Sequence, residues 1–191
     1  SLLALVIILP AFISHLIYAG YKEKPEPKNF LIVQPNIDPY HDKFGGMTQK
    51  EQDERLLSLV NAGVTDSTLF VVAPETFSSG IIENEPYSSD SFNRFAEVVR
   101  RNKNVNLIFG ASTYFMYPKE KFSGEHRPNY TARRINGGWY ESYNTAIYID
   151  SSERIMFYHK SKLVPLVEYL PYPKYLGGFK MFVIELGGNF G

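Results

Sequence analysis

Short apolar runs alternate with amphipathic ones along this chain, after an opening stretch that carries no charge. From Leu2 to Ala19 there is no Asp, Glu, Lys or Arg, and the run Leu2-Leu3-Ala4-Leu5-Val6-Ile7-Ile8-Leu9 continues into Ala11, Phe12, Ile13, Leu16 and Ile17. A bilayer core of ~30 Å asks for about 20 apolar residues in a helix, so residues 1–21 predict a transmembrane helix, the end of a membrane domain. Tyr18 and Tyr21 suit an interface belt, Lys22 and Lys24 leave the membrane, and Pro10 is tolerable in a spanning helix. A signal-peptide core and a buried soluble helix are the alternatives; no basic leader and no small-residue cleavage site is visible. Residues 22–28, with Glu-Lys-Pro-Glu-Pro-Lys inside them, can neither continue a helix nor pack in a core and read as a linker.

Beyond the linker the periodicity switches repeatedly between strand and helix. Phe30-Leu31-Ile32-Val33 reads as a short buried strand ending at Gln34-Pro35-Asn36. Thr48 to Val64 predicts a helix, with Leu56, Leu57, Val60 and Val64 at helical spacing and Gln49, Glu51, Asp53 and Glu54 near its start, where the helix dipole favours acids. Thr68 to Val72 is strand-like and runs into Ala73-Pro74-Glu75-Thr76. Ser91 to Arg101 is again helical, Phe92, Phe95, Ala96 and Val99 lying on one face, with Arg100, Arg101 and Lys103 closing it. Val105 to Ser112 is a third strand. Tyr143 to Ile149 and Arg154 to Tyr158 are two more, joined through the turn Asp150-Ser151-Ser152-Glu153. Glu120 to Gly138, rich in charge and glycine, reads as an inserted surface loop. The order strand, helix, strand, helix, strand and hairpin predicts an α/β sheet carrying helices.

Composition narrows the classes. Apolar residues make up 44% of the 191 and charged ones 21%, the balance of a globular domain. Lys+Arg and Asp+Glu number 20 each, so no overall field draws nucleic acid to the chain. There is no cysteine, which removes disulfides and thiolate metal sites, and His15, His41, His126 and His159 are scattered without ligand spacing. No cofactor or metal is expected. Tyr and Phe number 14 each, many in stretches read as loops such as Tyr114-Phe115-Met116-Tyr117; packing accounts for most, and contact with lipid is the alternative.

Two places depart from ordinary core and surface. Glu75 follows the apolar run Leu69-Phe70-Val71-Val72 and Pro74. Ligands of open α/β sheets bind at the carboxyl ends of strands, so a carboxylate there is well placed for chemistry, although Pro-Glu-Thr is also common at a helix start. The second is Tyr158-His159-Lys160-Ser161-Lys162-Leu163-Val164-Pro165-Leu166-Val167-Glu168-Tyr169-Leu170-Pro171, where a lysine at a strand end is followed within one loop by a glutamate. Such pairs on loops are usually solvated ions of little consequence.

Taken together and in order, Pro74-Glu75-Thr76 after an apolar strand, Tyr143-Asn144-Thr145-Ala146 leading a strand and Tyr158 to Pro165 after a hairpin resemble the landmarks of the carbon-nitrogen hydrolase (nitrilase-like) superfamily. Val33-Gln34-Pro35-Asn36-Ile37 and Pro165 to Pro171 resemble its apolipoprotein N-acyltransferase branch. The resemblance covers residues 29–191 and implies a partial carbon-nitrogen hydrolase domain, a nitrilase-like α-β-β-α sandwich incomplete at the C-terminus. It implies a Glu-Lys-Cys triad in which Glu75 matches the general base, Lys160 the cation beside the oxyanion, and Glu168 a second glutamate that orients the site. Lys162 is the rival for the cationic role, and Lys160 is preferred by its place in the motif. Leu166-Val167 departs from the family, which often has a glycine there. Ser1 at the start, and Leu186 to Gly191 reading as a turn after a strand, lead to the expectation that both ends are cut and that the nucleophilic cysteine lies beyond Gly191.

What the resemblance implies is ping-pong N-acyl transfer at the bacterial inner membrane, with the catalytic domain on the periplasmic side. A phospholipid acyl donor would load the cysteine as a thioester, and a diacylated apolipoprotein acceptor would take the chain on its N-terminal amine. A carbon-nitrogen hydrolase releasing its product to water, and a non-catalytic membrane-tethered binding module, are the alternatives. The 191 residues alone are expected to be inactive, and Glu75, Lys160 and Glu168 are expected to converge on one cleft.

Overall fold

The computed structural model describes residues 2–38, 46–122, 128–129, 131–162 and 164. The uncharged opening stretch forms helix α1, Leu2–Gly20, whose 19 residues include Pro10. At 1.5 Å per residue it is ~28 Å long. It is long and apolar enough to cross a membrane, a property that a signal sequence at an N-terminus shares, and none of its residues is buried. Residues 21–29 form no regular element and are exposed, as the proline-bearing linker composition requires.

The rest is mixed α/β, built on one seven-stranded sheet. Its strands are β1 (Phe30–Ile32), β2 (Phe70–Val72), β3 (Ser78–Ile82), β4 (Asn106–Met116), β5 (Arg133–Ile135), β6 (Gly138–Ile149) and β7 (Ile155–His159). Helix α2 (Gln49–Gly63) lies between β1 and β2 in the chain, and α3 (Asp90–Arg101) between β3 and β4. Strands β1, β2 and β4 run parallel in that order, β6 runs antiparallel to β4, and β5 and β7 run antiparallel to β6.

Both helices begin where side chains can hold their free N–H groups. Thr48 caps α2 in a capping box: its hydroxyl accepts from Glu51 N at 3.3 Å while the Glu51 carboxylate accepts from Thr48 N at 2.7 Å. Ser89 caps α3, and Arg100 and Arg101 sit in its last turn against the negative end of the dipole. Parallel crossovers that advance in one direction lay their helices on one face of a sheet. Leu56 and Val60 of α2 and Phe92, Phe95, Ala96 and Val99 of α3 accordingly pack with Val71, Leu107, Phe109, Ile147 and Ile149 in one core. Phe95 and Phe109 bring their ring centroids to 4.5 Å.

The opposite face carries no helix among the described residues. Phe30 and Ile32 are 56% and 77% exposed, and Met156 and Tyr158 are 55% and 68% exposed. The expectation of a buried strand at 30–33 is thus corrected: β1 alternates, and only its inward side is covered. Four further boundaries differ from the sequence reading. Strand β3 follows the Glu75 loop directly, and β4 continues to Met116 through aromatic residues expected in a loop. The stretch expected as a surface loop to Gly138 contains β5, and β6 starts at Gly138 instead of Tyr143. The charged pair Arg133-Arg134 hid this hairpin, whose turn is Asn136-Gly137, both at positive φ (42° and 78°).

Between the helices lies a buried carboxylate. Asp53 of α2 is 1% exposed, and accepts from Ser91 Oγ of α3 at 2.5 Å and from Gln49 Nε2 at 2.9 Å. Burial pushes its carboxyl above the usual range, more strongly than the Ser91 and Gln49 hydrogen bonds pull it down. The folded state then holds a proton that the unfolded chain releases above pH ~4. This contribution to stability is complete below the unfolded value and is lost as pH rises through the folded one. In urea unfolding across pH, the stability of the wild type relative to Asp53→Asn is expected to fall as pH rises above ~4 and then level off. A difference that is flat, or that grows with pH, would remove Asp53 as the cause.

Candidate active site

The site forms where the strands flanking β4 and β6 are interrupted. Strand β2 pairs with the first part of β4, Phe70 to Val72 against Asn106 to Ile108, and β3 pairs with its later part, Ser78 to Ile82 against Ala111 to Tyr114. Between them the chain leaves the ladder for residues 73–77, and this detour carries Glu75. Its backbone stays tied to β4: Ala73 N donates to Ile108 O at 2.8 Å, Gly110 N to Pro74 O at 3.0 Å, and Phe77 N to Gly110 O at 2.9 Å.

Such a detour is possible because residue 110 has no side chain. A Cβ there would lie 2.5 Å from Glu75 Cα, 2.6 Å from Thr76 N and 2.7 Å from Pro74 O. All three are backbone atoms, which cannot swing aside as the end of a flexible side chain can. Thr76 adopts φ 50°, a left-handed conformation that is strained for a β-branched residue and turns the chain back toward β3.

Across β6 the other interruption supplies the cation. Strand β7 pairs with β6 from Ile149↔Ile155 to Thr145↔His159, and Lys160 N then donates to Asn144 O at 2.8 Å as the chain leaves the sheet. Lys160 Nζ reaches Glu75 Oε1 at 2.9 Å. The same carboxylate oxygen accepts from Asn144 Nδ2 at 2.7 Å, and Thr76 Oγ1 lies 3.4 Å from Asn144 Oδ1. Asn144 therefore holds Glu75 with its side chain and Lys160 with its carbonyl. Residues 85 positions apart in the chain meet across one β6 residue.

Glu75 and Lys160 are brought together; Glu168 lies outside the described residues. Lys162, the rival cation, is exposed. The carboxylate is less enclosed than its expected role suggests, with the Glu75 side chain 61% and the Lys160 side chain 29% exposed. Among the described residues, no group of three or more His, Asp or Glu side chains is placed to hold a metal ion.

Two residues of this site, and Glu83, which meets His159 on the opposite face of the sheet, were not singled out from the sequence. Asn144 lay in a quoted motif without an assigned role, although a carboxamide inside an apolar strand needs polar partners. Gly110 interrupts an apolar strand, a signal of close backbone approach. Glu83 directly follows the apolar end of β3 and could have been flagged by the logic applied to Glu75.

Gly110→Ala is expected to lower unfolding stability by about 1–3 kcal/mol, the usual cost of forcing a methyl group into filled space. Gly80 provides the comparison: its φ is 75° and nothing lies within 4 Å of a Cβ built there, so Gly80→Ala carries backbone strain without a clash. Denaturant unfolding with crystallography of the Gly110 variant checks both the loss and an outward shift of residues 74–76; an unmoved loop at full stability would contradict the contact. In comparison with known proteins, no family model and no curated sequence matches this chain.

Proposed function

We propose that this chain belongs to the catalytic domain of a membrane-anchored N-acyltransferase of the carbon-nitrogen hydrolase type. The observation that carries the reading is the meeting of Glu75, Lys160 and Asn144 at the carboxyl end of a parallel strand. Helix α1, apolar and long enough to span a bilayer, supports an anchored enzyme. The reading places it in the bacterial inner membrane with this domain on the periplasmic side. Helices on one face and exposed apolar residues on the other support one half of an α-β-β-α sandwich.

In this mechanism Glu75 takes the proton of a cysteine thiol, and the thiolate attacks the ester carbonyl of a phospholipid. The negative oxygen of the tetrahedral intermediate forms beside the Lys160 ammonium, where a fixed cation stabilises it. Collapse breaks the ester bond, leaves the acyl chain on sulfur and returns the proton to the departing lysophospholipid hydroxyl. The amine of a diacylated apolipoprotein then attacks the thioester, Glu75 receives its proton, and the amide forms as the thiolate leaves and is reprotonated. Asn144 holds the carboxylate in place throughout. Glu168 is the second glutamate that orients the site. The 191 residues hold no cysteine, so the reading requires a thiol supplied from outside them.

The test uses the full-length protein in detergent with a labelled phospholipid and a diacylated lipopeptide. Hydroxylamine-sensitive label on the protein, followed by label on the lipopeptide amine, is expected. Glu75→Gln keeps the side-chain shape and should lower transfer by about 10²–10⁴-fold with the fold intact. Lys160→Arg should cost about 10²–10³-fold, because a planar guanidinium does not replace a compact ammonium. Near-normal transfer in either variant overturns its role, release of the label to water with no lipopeptide product favours an amidase, and no acylation at all favours a binding module.

A further inference from the structure

A second polar cluster lies on the other face of the sheet, directly behind Lys160. Side chains alternate along a strand, so His159 points toward the helix-covered face and Lys160 away from it. His159 Nε2 lies 2.8 Å from Glu83 Oε1 and 3.0 Å from Glu83 Oε2. The Glu83 side chain is 9% exposed and follows β3, its N–H donating to Tyr114 O at 2.8 Å. Thr113 Oγ1 donates to Glu83 Oε1 at 2.5 Å and lies 2.7 Å from Thr145 Oγ1, and both threonines are buried. Four elements, β3, β4, β6 and β7, are thereby joined through one carboxylate.

The His159 ring is also fixed from the side. It stacks on Tyr143 with centroids 3.8 Å apart and planes 5° from parallel. The Tyr143 hydroxyl donates to Glu141 Oε2, which also accepts from Tyr117 OH at 3.0 Å. A nearly buried carboxylate is costly unless its oxygens are hydrogen-bonded, and an acceptor-only group next to threonine hydroxyls leaves His159 Nε2–H as a further donor. Charge-assisted bonds of this kind are the strong ones.

We propose that Glu83 and His159 are a positioning pair that sets Lys160 against Glu75 from the opposite face of the sheet. Strand β7 has five residues and ends at His159, and strand ends fray unless tied. At this end the side chain of His159 is tied to Glu83 and the backbone of Lys160 to Asn144. Releasing His159 frees the last residue before the lysine. A long, flexible ammonium side chain then loses the fixed base from which it reaches Glu75. The inference rests on the reading of Lys160 as the oxyanion cation for its catalytic consequence, but the positioning itself is measurable without turnover.

The experiment is competitive modification of lysines with an amine-reactive reagent on the full chain in detergent, read by peptide mass spectrometry. Exposed Lys162 serves as the internal reference. In Glu75→Gln, the rate at Lys160 relative to Lys162 should rise about two- to fivefold, the size expected for loss of a partly exposed ion pair. His159→Phe keeps a ring against Tyr143 but has no N–H for Glu83, and should give a similar rise. His159→Gln places an amide donor near the position of Nε2 and should restore the wild-type ratio. Glu83→Gln, which removes the charge and keeps the shape, is a second variant should the phenylalanine protein not fold, and should shift the ratio in the same direction. The proposal is overturned if the His159 and Glu83 variants leave the ratio unchanged while Glu75→Gln raises it. It is equally overturned if Glu75→Gln itself has no effect. Because no acyl transfer enters the measurement, failure of transfer with the expected labelling sinks only the function, and the reverse result sinks only the positioning pair.

Discussion

The absence of a side chain at Gly110 is the constraint on which the site depends. Only a bare backbone at that point of β4 leaves room for residues 74–76, whose backbone atoms lie 2.5–2.7 Å from where a Cβ would stand, while residues 73–77 still exchange hydrogen bonds with the strand. A side chain would push the detour outward, and Glu75 would no longer lie within reach of Asn144 and Lys160. The break in the ladder between β2 and β3 is therefore a built feature, comparable in effect to a bulge that re-aims a side chain. Its cost is visible in the left-handed Thr76, and the continuous core beneath it supplies the stability that holds this strained turn.

The two faces of the sheet do different work. On one, α2 and α3 bury an apolar core dominated by Phe92, Phe95, Phe109 and Leu107, where burial of each large side chain contributes about 1.5–3 kcal/mol. At the end of that same face the apolar core gives way to Thr113, Thr145, Glu83 and His159. On the other face, apolar side chains stand exposed near the site, and the Glu75–Lys160 pair lies partly in solvent. An ion pair so exposed adds little to stability.

Much of the architecture was legible locally. Glu51, Asp53 and Glu54 mark the start of the helix that begins after Thr48, Phe92, Phe95, Ala96 and Val99 repeat at helical spacing, and Asp150 to Glu153 marks a turn that the structure closes between Asp150 and Arg154. Where the reading failed, local pattern and tertiary context disagree. Ser78 to Ile82 has too few apolar residues to announce a strand, and it becomes one because β4 extends past β2 and leaves hydrogen-bonding groups to be paired. Arg133 to Ile135 is a strand for the same reason along β6. Phe30 and Ile32 look like core by composition, yet they face the side that carries no helix among the described residues.

By itself, the sequence determined the uncharged helix, the linker, the order of the helices and of five of the seven strands, and the place of Glu75 and Lys160 at strand ends. These follow from periodicity, capping and turn chemistry, which act over a few neighbouring residues. Only the tertiary structure decided that Lys160 and not Lys162 meets Glu75, that Asn144 holds both, and that Glu83 and His159 brace the strand from behind. The reason is physical: strand register assigns each side chain to one face, and contacts between residues far apart in the chain arise only when separate strands align. Asn144 is placed opposite Ser112 by that register, two positions from the glycine that admits the Glu75 loop. No local pattern carries that distance.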